Sequence, residues 1–289
     1  MQTSNLLTFC ALVAFLTLAC VTSMVKADSE VVAANLTMAA FNVQVFGASK
    51  AQKTDVMNAL KLIFRKFDMV LMQEIREASG DAVVQLLKEI NFGLPAKDKY
   101  EVLLSDRFGS SSSKEQYGWF YRPSRLNPIY TYSWTSRTSF ERAPQAVWWN
   151  ALSSPSNLTF VTVGLHADPD EVVVELDELG KVYSEFSRPS WPGYSRQDAP
   201  AGIAPIADRT IIMGDLNADC SYLNQGEKAC MRDPTCTSTE ISLWNPSKLH
   251  WLLDDDVDTT TKSTHCAYDR IIVTDGILQV VNRCVLKQT

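Results

Sequence analysis

The sequence predicts a layered α/β protein in which sheet packs on sheet and helices lie on the outer flanks. Three observations carry that reading. Short runs of β-branched and aromatic residues recur along the chain, two stretches between them carry apolar residues at helical spacing, and no shift in composition divides the whole. With 289 residues and 46% hydrophobic content the chain can bury one large core, so a single domain is expected over residues 28–289.

The elements follow in order. Residues 1–27 have an apolar centre from Leu6 to Val21 and then small residues, with Val25 and Ala27 spaced for signal-peptidase cleavage. They read as a secretory signal. The competing reading is an uncleaved anchor, because the apolar centre is long and no positive charge precedes it. Strands are expected at 36–46, 69–73, 100–105, 118–123, 145–152, 158–167, 210–218 and 269–275. Several are apolar throughout, as in a sheet covered on both faces. Val56, Leu60, Phe64 and Phe67 fit one amphipathic helix, and Val172, Leu176, Leu179, Tyr183 and Phe186 fit another. Residues 188–208 collect proline and glycine and read as an exposed loop inserted before the strand at 210. His250 and Trp251 are expected in a helix.

Charge and cysteine usage narrow the classes. The chain is acidic, with a formal charge of −6, and loss of the first 27 residues removes only Lys26. Nonspecific, field-driven binding to nucleic acid is thereby disfavoured, so a phosphate substrate has to be met by local arginines and metal ions. Asn35 and Asn157 open sequons, which suits a secreted glycoprotein. Five of the seven cysteines lie beyond the signal. In an oxidising compartment Cys230 and Cys236 could close a small loop and Cys220 could pair with Cys266, which leaves Cys284 over.

One pattern recurs: an apolar strand that ends in an acid, an amide or an imidazole. Asn42 follows "MAAF", Glu74 follows "VLMQ" with Arg76 close behind, His166 ends "VTVGL", Asp215 and Asn217 end "IIMGDLN", and Asp269 opens "DRIIV". Any one of these is ordinarily a turn residue or a satisfied structural side chain. Together, at one rim of a sheet, they suit metal-assisted phosphodiester hydrolysis. Mg²⁺ takes oxygen ligands and keeps waters and a substrate phosphate, a role for Glu74 and Asn42. An imidazole oriented by a carboxylate can move a proton at neutral pH, and Arg76 and Arg142 can grip phosphates through paired N–H donors.

The segments "AAFNVQVFG", "VLMQEIRE", "KEQYGWFYRP", "FERAPQAV", "GLHADPDEVVVELDEL", "IIMGDLNADCSYL" and "DVDTTTKSTHCAYDRIIV" resemble, in this order and spacing, the secreted deoxyribonuclease I family, over roughly residues 36–275. The resemblance implies a four-layer sandwich of two mainly antiparallel sheets flanked by helices. It implies a monomeric, secreted endonuclease that hydrolyses double-stranded DNA with catalytic Mg²⁺ and structural Ca²⁺. Glu74 and Asn42 would hold the catalytic metal, and His166 would pair with Glu115. Asp215 and Asn217 would bind or orient the metal and the scissile phosphate. Asp269 would orient a second histidine. Arg76, Arg142, Tyr268 and Asn217 would contact DNA, and Asp258 would be the carboxylate of a calcium loop. Cys220 and Cys266 match the family's main disulfide. Some members bind actin, so an inactive DNA- or actin-binding homologue is the alternative function.

Three departures accompany the match. The family's C-terminal Ser-Asp-His segment, with its second catalytic histidine, has no counterpart in this sequence. A C-terminally truncated domain of low activity, with an uncovered sheet edge, is therefore expected. Ser113 stands where the family often has an aromatic residue against DNA, and "YTYSWTSRTS" lacks the family's small disulfide.

Overall fold

Neighbouring residues along the central strands face opposite environments, and that alternation builds the layers. The computed structural model describes residues 16–19, 36–110, 113–152, 158–195, 208–232, 243, 249–261, 263–278 and 282–285. In chain order the elements are β1 (Leu16–Ala19), β2 (Met38–Phe46), α1 (Ala48–Ala51), α2 (Thr54–Phe64), β3 (Met69–Ile75) and α3 (Asp81–Asn91). Then come β4 (Glu101–Leu104), β5 (Gln116–Tyr121), β6 (Leu126–Ser133), β7 (Gln145–Ala151), β8 (Thr159–Gly164) and α4 (Val172–Phe186). The last are β9 (Thr210–Asp215), α5 (Gln225–Arg232), β10 (Leu249–Trp251), β11 (Asp269–Thr274), α6 (Asp275–Leu278) and β12 (Asn282–Val285).

One sheet has the order β2-β3-β5-β4 and the other β10-β11-β9-β8-β7-β6, while β1 and β12 form a separate antiparallel pair. Within the two large sheets only β2–β3 and β8–β9 are parallel. Those are the two places where a helix crosses over between adjacent strands, through α1 and α2 and through α4. Met38, Ala40, Met69, Leu71, Trp119 and Tyr121 point inward against Val147, Trp149, Ile211, Met213 and Ile271 of the larger sheet. The intervening residues Ala39, Phe41, Val70, Met72 and Phe120 face α2 and α3. On the far side, Trp148, Val161, Val163 and Ile212 face Leu176, Leu179, Val182 and Phe186 of α4. The result is the expected four-layer sandwich.

Several elements correct the sequence reading. His250 and Trp251 lie in β10, paired to β11, and not in a helix. Three residues are too few for a period-two pattern to declare itself. Strand β6 carries Pro128, which argues against a strand in sequence. It is tolerated because β6 is the edge of its sheet and the register shifts there. The loop after residue 188 is exposed at residues 188–190, as expected, but turns Trp191 inward, where it is buried and stacks on Trp148 and Trp134, with centroids 6.0 and 5.6 Å away. Residues 196–207, Asn35, Asn157, the Cys230–Cys236 pair and the thiol of Cys284 lie outside the described residues. Among the described residues no helix is long and apolar enough to cross a membrane.

Candidate active site

The rim where β3, β8 and β9 end and β11 begins gathers the polar strand tips. Asp269 is the register partner of Asp215 across β9–β11, and Asn42 of Gln73 across β2–β3. A buried side chain of the smaller sheet binds two backbone groups of the larger one there. Gln73, fully buried, donates from Nε2 to the carbonyl of Leu165 at 2.8 Å and accepts from the N–H of Asp215 at 2.8 Å. That close approach needs Gly214, whose φ is +139°, because a Cβ there would sit 2.3 Å from the Leu165 oxygen.

At the centre the Asn42 amide donates to Glu74 Oε1 and to Asp215 Oδ2, each at 3.0 Å. Glu74 also accepts the Val45 N–H at 2.9 Å and pairs with Arg76 at 3.1 Å. The backbone is left-handed at Gln44, Val45, Glu74 and Asn217. Such conformations in residues other than glycine persist only where the surroundings fix them, and they concentrate at functional sites. The ammonium of Lys50 donates to the Val43 and Gln44 carbonyls and so holds the first of these bends. Burial opposes ionisation of Glu74, but the charge on His166, the Asn42 amide, the Val45 N–H and Arg76 outweigh it and hold the carboxyl below its usual range.

His166 sits beside this group. Its Nδ1 meets Glu115 Oε1 at 2.6 Å and its Nε2 lies 4.0 Å from Asp215 Oδ2. Its backbone N–H donates to the Tyr117 hydroxyl at 3.0 Å, and its carbonyl accepts from Arg142 Nε at 2.8 Å. Burial would lower the pKa of the ring, yet the hydrogen bond to Glu115 and the charges of Asp215 and Glu115 raise it above its ordinary value. Asn217 turns inward, its amide on the Ala167 carbonyl at 2.9 Å and its N–H on Asp215 Oδ1 at 3.1 Å. The carbonyl of Tyr268 accepts from the Leu216 N–H at 3.1 Å, and the Tyr268 ring lies tilted against Tyr222 with centroids 5.1 Å apart.

The opposite flank is less furnished. Asp269 Oδ1 is buried without a hydrogen-bond partner among the described residues. Its pKa is pushed well above the carboxylate range by burial and then by the charge of Asp215. The chain has three histidines. His250 contacts Asp275 at 2.6 Å instead, and His265 is solvent-exposed. Among the described residues no imidazole is hydrogen-bonded to Asp269. The sulfurs of Cys220 and Cys266 are bonded, with Cα atoms 5.8 Å apart, which fastens the strand end carrying Asn217 to the segment entering β11. Asp258 Oδ1 accepts the Thr260 N–H at 2.9 Å and the Thr260 hydroxyl at 3.0 Å, in a loop rich in oxygen donors. Ser113 is exposed.

Residues 39–287 match the model of the endonuclease/exonuclease/phosphatase family. The chain is 34% identical over 255 residues to deoxyribonuclease-1 of Rattus norvegicus, covering 86% of this chain and 79% of the relative. The bovine enzyme, from Bos taurus, is 32% identical over 251 residues, covering 85% and 79%. The Homo sapiens enzyme is 31% identical over 253 residues, covering 86% and 80%. The chain belongs to the deoxyribonuclease I family. Fold and family thus agree with the motif reading. Sequence reasoning passed over Gln73, Tyr117 and Lys50, which brace this rim. Gln73 alone left a local trace, as the one amide at the end of the apolar run "MVLMQ".

Proposed function

We propose that this chain is a divalent-metal-dependent endonuclease that hydrolyses phosphodiester bonds of double-stranded DNA, at a rate limited by having one imidazole at the site. The observation that carries the reading is the Asn42 amide bridging Glu74 and Asp215 at 3.0 Å, with the His166–Glu115 pair alongside. The two carboxylates offer hard oxygen donors of the kind Mg²⁺ prefers, and the Asn42 amide, which bridges them through Nδ2 while its Oδ1 accepts the Gln44 N–H at 2.8 Å, would turn that oxygen to the ion. Glu74, Asp215 and Asn42 would hold it, and Asp258 with its neighbouring hydroxyl and carbonyl oxygens suits Ca²⁺. A bound Mg²⁺ supplies charge neutralisation on the phosphate and a more acidic water.

The chain's own residues do the rest. Glu115 keeps a proton on Nδ1 of His166, so Nε2 is the atom that exchanges a proton with an oxygen of the phosphodiester. Arg76 Nε and one terminal nitrogen of Arg142 are buried without partners among the described residues, which suits both guanidiniums to a phosphate arriving at the rim. Asn217, whose N–H is on Asp215 Oδ1, and Tyr268 would meet the DNA beside Asp215. The disulfide supports an oxidising, extracellular setting. Loss of one proton-transfer group costs about 10²–10⁴ in rate, and the buried Asp269 carboxyl, with no imidazole on it and Oδ1 unmet among the described residues, supports a slow enzyme on that ground.

The test is nicking of supercoiled plasmid by the full chain in Mg²⁺ plus Ca²⁺. Cleavage stopped by chelation and reduced in His166→Ala is expected; no cleavage with any divalent metal overturns the reading. The second reading, a DNA- or actin-binding protein that does not cut, draws on the same unmet Asp269 Oδ1. It would be favoured by plasmid retention in a gel-shift, or by actin capture, without nicking and without response to His166→Ala.

A further inference from the structure

Glu175 is a buried acid with no part in the chemistry described above. It lies in the first turn of α4 with 1% of its surface exposed, and the packed α/β core gives it no salt-bridge partner among the described residues. Both carboxylate oxygens are used on backbone donors from two separate segments. Oε1 accepts the N–H of Glu141 at 2.7 Å, and Oε2 accepts the N–H of Asp168 at 3.0 Å. Burying a carboxylate is costly, and a fold that keeps one has to return hydrogen bonds to both oxygens.

The two segments it joins carry the site. Glu141 immediately precedes Arg142, whose Nε holds the His166 carbonyl at 2.8 Å. Asp168 lies two residues beyond His166, and between them Ala167 gives its N–H to the Asp215 carbonyl at 2.9 Å and accepts the Asn217 amide at 2.9 Å. One side chain therefore fixes the spacing between the Arg142 strand end and the His166 turn, and through Ala167 the placement of Asp215 and Asn217. We infer that Glu175 is a positioning residue for the proposed cleavage reaction, a carboxylate clamp that holds Arg142 and His166 in register without touching substrate. The inference rests on the endonuclease reading for its kinetic consequence only; the clamp itself can be observed without catalysis.

The ionisation of Glu175 fits that role. Burial pushes its pKa up to about 7, against the two backbone donors and the nearby Arg142 charge, with the Asp168 carboxylate adding to the rise. The phenol of Tyr117 also lies within its field. Above pH 7 the carboxylate accepts both N–H groups. Below it, a protonated oxygen faces a backbone donor with a donor of its own, and one half of the clamp opens.

Two measurements test this with the full chain. In the first, the backbone amide resonances of Glu141 and Asp168 are followed by NMR from pH 5.5 to 8.5 in chelator. A shared transition near pH 7 that vanishes in Glu175→Gln is expected; amides that do not titrate together, or that titrate unchanged in the variant, overturn the clamp. In the second, kcat and KM for plasmid nicking are compared. Glu175→Gln should lower kcat about 10- to 100-fold, as expected for a displaced catalytic group, with KM within about threefold and the rise of kcat through pH 7 flattened. An unchanged kcat overturns the positioning role, as does a fall that keeps the wild-type pH profile and tracks a lower melting temperature. If the wild-type chain nicks nothing, the endonuclease reading fails, and the NMR titration still decides the clamp.

Discussion

The two flanks of Asp215 are built from the same parts and finished to different degrees. On one side His166 has a carboxylate behind its ring, a tyrosine on its N–H and an arginine on its carbonyl. On the other, Asp269 offers a buried carboxylate in register with Asp215 and has nothing on Oδ1. The difference separates what a carboxylate does for an imidazole from what it does alone. Behind a ring it fixes a tautomer and sustains a positive charge. Without one it is a desolvated acid beside another acid, and its proton is held more tightly.

That contrast can be broken or sharpened by substitution. The largest effect belongs to the complete flank: His166→Ala should lower the nicking rate about 10²–10⁴-fold, measured on supercoiled plasmid. A loss below tenfold would mean the furnished side is not the working side. Next, Glu115→Gln should cost about 10- to 100-fold in kcat while leaving DNA affinity near wild type by gel-shift, since it removes the ring's orienting charge and not a contact to substrate. Tyr117→Phe should be milder. It forfeits one buried hydrogen bond to the His166 N–H and should lower stability by about 1–3 kcal/mol in urea titration, because the donor is left unmet.

The smallest effect is expected at Asp269. An acid whose folded pKa exceeds its unfolded value costs nothing below the unfolded pKa; the cost grows as pH rises toward the folded value and is complete above it. Asp269→Asn in chelator should therefore melt close to wild type near pH 4, with a gain in melting temperature that grows toward pH 8. A loss of stability growing over the same range would show that Asp269 is ionised and partnered after all.

Much of this arrangement was legible in the sequence, for definite reasons. The strand tips announced themselves because a polar residue directly after an apolar run is a local event, as at "VLMQE" and "IIMGDLN". The helix α4 showed through its spacing, and Val83, Leu86 and Ile90 of α3 repeat the same spacing. What escaped is non-local. Tyr117 reaches His166 across 49 residues and Glu175 reaches Glu141 across 34, and neither leaves a mark on its neighbours. Strand β6 was masked by Pro128, whose acceptability depends on lying at an edge that only the assembled sheet defines.

Gln73 reaches from the smaller sheet to two backbone groups of the larger, beside a glycine that admits nothing bulkier. The groups of the proposed site therefore straddle a seam, with Asn42 and Glu74 on one half and His166 and Asp215 on the other. Any loosening of the tryptophan-rich packing between the halves would pull ligand from ligand well before either half melts, so activity should fade on warming at temperatures where circular dichroism still reports an intact fold.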